Sequence, residues 1–428
     1  MINASIITIG DELLIGQTID TNSAFIAQQL NEIGIWVHRR LAVGDSWNDI
    51  WNALDEEGKQ SELVIITGGL GPTADDITKP LLCQYFSGKM MVDENVLAHV
   101  KYLFEKVYRR PGPILERNLK QAEVPDTCKV LHNARGSAPG MWFEKKYTEN
   151  AKATEHTSVF ISLPGVPHEM KGIMTNEVIP ALLDRFPLSN IIHKTIVTSG
   201  QGESIIAEMI RDFESSLPPH IKLAYLPAFG MVKLRLTSSS DNRHELEKEM
   251  NHYSEKLKQL VADYFVTDID EGLEKVIARL LTQKSKTLGT AESCTGGYIA
   301  HLITSNAGSS EYFKGTIVSY ENELKKNLLG VRIETLKTHG AVSEATVREM
   351  VKGAIDKLQV DFAIATSGIM GPGGGSEKKP VGLVWIAVGH KDLVIAKDFN
   401  FRFDRERNIR QTAQVALDFL RKFILTNS

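Results

Sequence analysis

The chain reads as an α/β protein built from three modules: an N-terminal α/β domain, a small α+β middle domain and a C-terminal α/β domain. Three observations predict this. Buried-strand runs at 63–67 and 361–368 end in glycine-rich loops, as strands do when an open sheet carries its binding loops at their C-terminal ends. Between residues 171 and 265 the pattern changes to strands and helices without such loops. The length of 428 residues calls for two or three separate cores.

Taken in order, residues 4–9 form a first strand that ends in Gly10-Asp11-Glu12-Leu13-Leu14-Ile15-Gly16. Thr21-Asn22-Ser23 then caps the amphipathic run 24–30, completing a βα unit. The strand 63–67 runs into Gly68-Gly69-Leu70-Gly71-Pro72-Thr73-Ala74-Asp75-Asp76. A glycine-rich turn closing on two aspartates suits a phosphate beside a divalent cation, because carboxylates are hard oxygen ligands. A solvated turn is the alternative. Residues 145–157 are polar and neutral toward helix, and predict an extended hairpin or loop before a strand at 158–163. Farther on, a strand at 191–197, a helix at 203–213, a strand pair at 221–226 and 231–237 and a long helix at 245–264 make the α+β module. It reads as an interdomain spacer, with Asp268-Ile269-Asp270-Glu271-Gly272 as linker to the last domain. Internal repeats and low-complexity tracts are absent from the sequence.

The last domain carries the most informative string, Ala291-Glu292-Ser293-Cys294-Thr295-Gly296-Gly297, between a short strand (286–290) and a helix whose apolar positions are Tyr298, Ile299, Leu302 and Ile303. Ser293 is expected near the helix N-cap, where free backbone N–H groups favour a developing oxyanion. A plain serine-capped helix with a Gly-Gly turn is the bland reading. Downstream, a strand leads through Ser319-Tyr320 into a polar helix start containing Lys325, placing a phenol and an ammonium together. A third strand ends at Gly368 and opens into Ile369-Met370-Gly371-Pro372-Gly373-Gly374-Gly375, a loop able to wrap N–H groups around phosphate.

Composition narrows the function classes. A net charge of -4 with 24% charged residues argues against a general nucleic-acid binder or a membrane-surface protein. Cys83, Cys128 and Cys294 are too few and too scattered for a disulfide framework or zinc cluster, which fits a reducing cytoplasm. The first residues lack the basic start and apolar core of a signal peptide.

The three C-terminal segments, with His339-Gly340-Ala341-Val342-Ser343 and Lys379-Pro380-Val381-Gly382, resemble the C-terminal domain of the CinA (competence/damage-inducible protein) family over about residues 270–425. That resemblance implies a nicotinamide-mononucleotide amidase, releasing nicotinate mononucleotide and ammonia without a cofactor. Residues 3–170 resemble the three-layer MoaB/MogA molybdopterin-binding fold in its CinA version, through Asn118 and Gln121, residues 133–140 and Leu163-Pro164-Gly165-Val166-Pro167-His168-Glu169-Met170. There the resemblance implies ADP-ribose pyrophosphatase activity with a divalent metal such as Mg2+, held by Asp11, Asp76 and Glu169, with Gly68, Gly69, Gly71 and Asn118 at the substrate. Asp11 and Asp76 as helix caps, and Glu169 as a surface residue, are the bland readings. The middle domain, 171–265, resembles a KH fold; Gly200-Gln201-Gly202-Glu203 puts an acid where a nucleic-acid loop wants a base, so RNA is not its expected partner. A homodimer is implied by the resemblance alone.

Amide hydrolysis needs a nucleophile, a proton carrier for the departing ammonia and donors for the oxyanion. Ser293 is the nucleophile of choice, with Lys325 taking its proton directly or through Tyr320, and Thr295 beside it. Cys294 is the rival nucleophile, and activation of water without an acyl-enzyme stays open. Gly296, Gly297, Gly368, Gly371 and Gly373 would approach the substrate, and Arg410 is the candidate for its phosphate, against a solvated helix face. Two readings follow: a hydrolase of pyridine-nucleotide recycling with two sites, or a nucleotide-sensing scaffold tied to competence or DNA damage. A molybdopterin adenylyltransferase is disfavoured by fusion to the last domain.

Overall fold

Runs of Val and Ile with no charged residue, such as Leu-Val-Ile-Ile-Thr at 63–67, bury on both faces and need helices above and below. The computed structural model describes residues 2–73, 76–109, 112–148, 155–188 and 190–427. It divides into two compact units, Met1–Ile192 with Ser239–Leu246, and His193–Ser238 with Glu247–Ser428.

The first unit holds β1 (Asn3–Ile9), β2 (Trp36–Val43), β3 (Leu63–Thr67), the short pair β4 (Met90–Val92) and β5 (Glu123–Pro125), then β6 (Lys129–Leu131), β7 (Gly140–Thr148) and β8 (Glu155–Leu163). Six of them form one sheet in the order β2-β1-β3-β8-β7-β6. Its centre is parallel and its β8-β7-β6 edge antiparallel. Two apolar clusters cover the two faces: Ile6, Ile65 and Ile161 point to one, Ile7, Ile66 and Phe160 to the other. This is the predicted three-layer arrangement. Ile173, Met174, Val178, Leu182 and Phe186 bury in the first of these clusters, so the core continues past residue 170. The polar stretch at 145–157 extends two antiparallel strands, pairing Lys145 with Ser158 and Lys146 with Thr157; the expected hairpin is there, although its tip at 149–154 lies outside the described residues. Strand β8 therefore starts earlier than residue 158.

A four-stranded sheet in the order β10-β11-β9-β12 is made of β9 (Asn190–Ser199), β10 (Lys222–Ala228), β11 (Met231–Ser240) and β12 (Phe265–Thr267), all but the first three residues of β9 and the last two of β11 belonging to the second unit. The helix expected at 203–213 is two shorter ones, Glu203–Met209 and Arg211–Ser215. Val197, Met231 and Val266 belong to the same apolar core as Leu273, Ile277 and Leu420, which corrects the spacer reading. The supposed linker is also tied down, by Lys258 to Asp268, Lys233 to Asp270 and Arg279 to Glu271.

The last sheet orders β13 (Leu288–Glu292), β14 (Phe313–Val318), β15 (Phe362–Gly368), β16 (Leu383–Gly389) and β17 (Val394–Asn400) as β14-β13-β15-β16-β17. Strands β14, β13 and β15 run parallel, so their C-terminal ends gather Ser293, Ser319-Tyr320 and the 369–375 loop at one edge. The helix Arg405–Asn427 packs on one face and Glu344–Leu358 on the other. Among the described residues no helix is long and apolar enough to cross a membrane.

Candidate active site

After β13 the chain turns sharply, and the following helix starts at Tyr298 with Gly297 as its N-cap in a left-handed conformation. Ser293 is therefore not the cap. The capping is done by Glu292, fully buried, whose carboxylate accepts N–H bonds from Gly297 (3.0 Å), Ile299 (3.1 Å) and Ala300 (2.9 Å). This changes the expected oxyanion site, because the N–H groups of that first turn are already taken. Directly after the serine, the Cys294 N–H faces its own sulfur, and the Thr295 N–H is left without a protein acceptor among the described residues.

The turn is held from β15. Ser293 N–H donates to the Thr366 carbonyl at 3.0 Å, and the Thr295 and Thr366 hydroxyls lie 2.8 Å apart, both buried. Thr295 thus fixes the turn. The Cys294 thiol is buried, and burial pushes its pKa up to about 12. It stays protonated at neutral pH, which disfavours it as the nucleophile.

Lys325, 1% exposed, projects from the helix Asn322–Leu329. Its Nζ lies 3.1 Å from Ser293 Oγ, 2.8 Å from the Ser319 carbonyl and 3.1 Å from the Tyr320 carbonyl. Burial lowers its pKa from the ordinary 10.5, because desolvation penalises the ammonium. As a neutral amine it has two hydrogens for the two carbonyls and a lone pair facing the serine hydroxyl.

Tyr320 enters the site through its carbonyl. Its phenol, more than half exposed, accepts a hydrogen bond from Arg405 at 3.1 Å, and Arg405 also donates to the Gly371 carbonyl at 2.9 Å. The glycine-rich loop is further pinned by the buried Asn408, whose amide donates to Met370 O at 3.0 Å. Gly368 lies against β16, where a Cβ would meet the Leu383 carbonyl at 2.8 Å, whereas Cβ positions at Gly296 and Gly373 face open space. Arg410 points elsewhere: it pairs with Glu406 one turn back and lies over the Phe229 ring, matching the solvated-face reading. Arg405 and Asn408, in the same charged run, are what sequence reading missed. Only their contacts to the 369–375 loop set them apart from Arg407 and Arg410.

In the first unit the predicted residues fall into separate environments. Asp76 turns inward on its own loop, accepting from Gly71 N–H at 2.7 Å and Thr73 N–H at 2.9 Å. Asp11 and Asp45 exchange side-chain-to-backbone bonds at 3.1 Å each way. Glu169 accepts from Asn133 at 2.6 Å, and burial raises its pKa. Among the described residues no three acidic, His or Cys side chains form a group able to hold a metal ion. The three carboxylates do not fit a shared divalent-metal site. Gly68 and Gly69 are fixed by packing, since a Cβ would strike the Ile9 carbonyl at 2.3 Å or the Thr78 hydroxyl at 2.0 Å. Gly68 also lines a cleft of about 120 Å³ with Glu12, Asp20, Asn22, Thr67 and Gly165. Asn22 has its Oδ1 buried without a partner. Asn118 lines a different cavity, of about 240 Å³, with Phe104 and Leu115. Sequence reading missed Lys79, buried and bonded to the Gln121 carbonyl, its pKa lowered by burial to about 8.

Residues 270–424 match the family model of the CinA C-terminal domain, residues 5–184 that of the "Probable molybdopterin binding domain", and residues 193–267 that of the damage-inducible protein CinA KH domain. A CinA-like protein of Flavobacterium psychrophilum is 47% identical over 425 residues, covering 99% of either chain. One from Cytophaga hutchinsonii is 44% identical over 421 residues, 98% of either chain. The crystal structure of a competence-damaged protein (CinA) superfamily member from Klebsiella pneumoniae is 36% identical, covers 36% of this chain and 96% of its own, and gives a TM-score of 0.35.

Proposed function

This chain belongs to the CinA family, and on that premise we propose that its last domain hydrolyses the carboxamide of nicotinamide mononucleotide, using Ser293 as nucleophile and Lys325 as the proton carrier. The substrate rests on the family resemblance. The chemistry rests on one observation, the buried Lys325 amine 3.1 Å from Ser293 Oγ. Neutral Lys325 takes the Ser293 proton as Oγ bonds to the amide carbon. The oxyanion forms against the Thr295 N–H. The resulting ammonium returns its proton to the nitrogen as the C–N bond breaks and ammonia leaves. Water then attacks the acyl-enzyme, giving a proton to Lys325, and the carboxylate product departs with Ser293 reprotonated. Ammonia release from nicotinamide mononucleotide by the purified chain, beside Ser293→Ala, tests this reading. No release from folded protein favours a nucleotide-sensing scaffold instead.

For the first unit we propose ADP-ribose as the ligand and substrate, at the cleft beside Gly68, supported by the partnerless Asn22 Oδ1 there and by the resemblance. Asp11, Asp76 and Glu169 do not gather around one ion, so no metal-assisted step is assigned to them. We further propose a cytoplasmic homodimer, which sedimentation of the whole chain would test.

A further inference from the structure

Within the second unit, the loop Ser199–Glu203, the β10-β11 turn and the helix Arg405–Asn427 enclose a cavity of about 690 Å³. Its walls contain none of the residues singled out from the sequence as site residues. The volume is that of a small-molecule pocket, and the lining is mostly apolar with a few polar groups, as such pockets are. Phe399 and Phe401 are stacked on one wall, their rings 10° from parallel and their centroids 5.9 Å apart, with Lys397 Nζ 5.6 Å from the Phe399 centroid, a pair of aromatic faces beside a cation.

The charged groups on the walls are Lys397, Lys422, Glu203 and Asp418. Asp418, only 6% exposed, is bonded to Arg421 at 2.8 Å and to Lys422 at 2.9 Å. With Arg421 balancing Asp418, the wall carries a surplus of one cation, enough for a single phosphate group and too little for a polyphosphate. Asp418 also anchors Lys422, holding its Nζ over Gly200, within 3.5 Å of where a Cβ would stand. Gly200 has φ +93°, so a larger residue there is disfavoured by conformation.

We propose that this cavity binds a nucleoside monophosphate, its base on Phe399 and Phe401 and its phosphate at Lys422 and Lys397. The site is independent of the amidase reading, since it shares no residue with the Ser293 centre.

The test is photolabelling of the whole chain with 8-azido-AMP, followed by peptide mapping, for wild type, Phe399→Ala and Lys422→Gln. Lys422→Gln leaves Asp418 paired to Arg421, and ammonia release together with the thermal midpoint verifies that each variant is folded. Label is expected within residues 199–203 or 397–401, protected by excess AMP, and reduced at least about fivefold in both variants. Absence of protectable label in these peptides overturns the proposal, as does labelling of the same peptides that is unchanged in both variants. If Phe399→Ala is unfolded, Lys422→Gln alone decides.

Discussion

The amine of Lys325 is bonded to the hydroxyl of Ser293 while both side chains are buried, and the lysine's remaining hydrogens meet the carbonyls of Ser319 and Tyr320. In its neutral form the amine thereby aims its lone pair at the hydroxyl whose proton it takes. Ser293→Ala is expected to lower ammonia release at least about 1,000-fold, and Lys325→Met comparably, since residues acting as a unit lose most of their effect together. Cys294→Ser should retain most of the activity; a folded but inactive Cys294→Ser would move the nucleophile to the thiol.

Burial holds Lys325 more readily neutral than a free lysine, and this fixes the pH dependence. A base acts in its neutral form, so kcat/KM should rise with pH and level off, with a midpoint below 10.5. Stability follows the same direction. Between the folded and unfolded pKa values the unfolded chain binds the extra proton, so this group's contribution improves as pH rises through that window. A profile of kcat/KM against pH that falls across this range would contradict Lys325 as base.

The strands and the glycine-rich loops were legible because each is local, with strand runs and turn residues in consecutive positions; Ser293 and Lys325, 32 positions apart, were legible because each follows a strand, and parallel pairing of β14, β13 and β15 brings those strand ends together. Three features were not. The Glu292 cap spans residues 292 to 300, a carboxylate reaching forward over the turn, and the expectation that placed Ser293 near the N-cap carries no signal for it. Arg405 acts on Gly371, 34 positions away, and nothing in the run Asp404-Arg405-Glu406-Arg407 distinguishes it. The middle module was read as a spacer because Val197, Met231 and Val266 look like an ordinary small core until they are seen to join Leu273 and Leu420.

Glu292 places a carboxylate at the start of the helix and satisfies three of its N–H groups without solvent. Glu292→Gln turns an amide NH2 toward those donors and removes the charge, at an expected cost of about 2 kcal/mol or more. Urea titration of the whole chain, followed by loss of ammonia release, should show an earlier midpoint. An unchanged midpoint would mean that the helix start does not depend on this charge.

Arg405 and Arg410 are separated by their partners: the first braces the Gly371 carbonyl and the Tyr320 phenol, the second a neighbouring glutamate. Arg405→Gln is expected to raise KM for nicotinamide mononucleotide about tenfold, or ~1.4 kcal/mol, with a smaller change in kcat. Arg410→Gln should change KM less than about twofold, as for an exposed i,i+4 pair. The opposite ranking would return the substrate phosphate to Arg410.

Asp76 holds residues 71–73 by accepting from the Gly71 and Thr73 N–H groups, so its charge shapes that segment whether or not an ion binds nearby. Asp76→Asn can supply only one oxygen to N–H groups that now use both. The loop beside the Gly68 cleft should loosen, and ADP-ribose hydrolysis should fall at least about tenfold, the cost of one lost charged hydrogen bond. Ammonia release should stay at the wild-type rate, because Asp76 lies in the other compact unit from Ser293. Measuring both activities on the same variant separates the outcomes: loss of both would contradict independent sites, and retention of both would remove Asp76 and its loop from ADP-ribose chemistry.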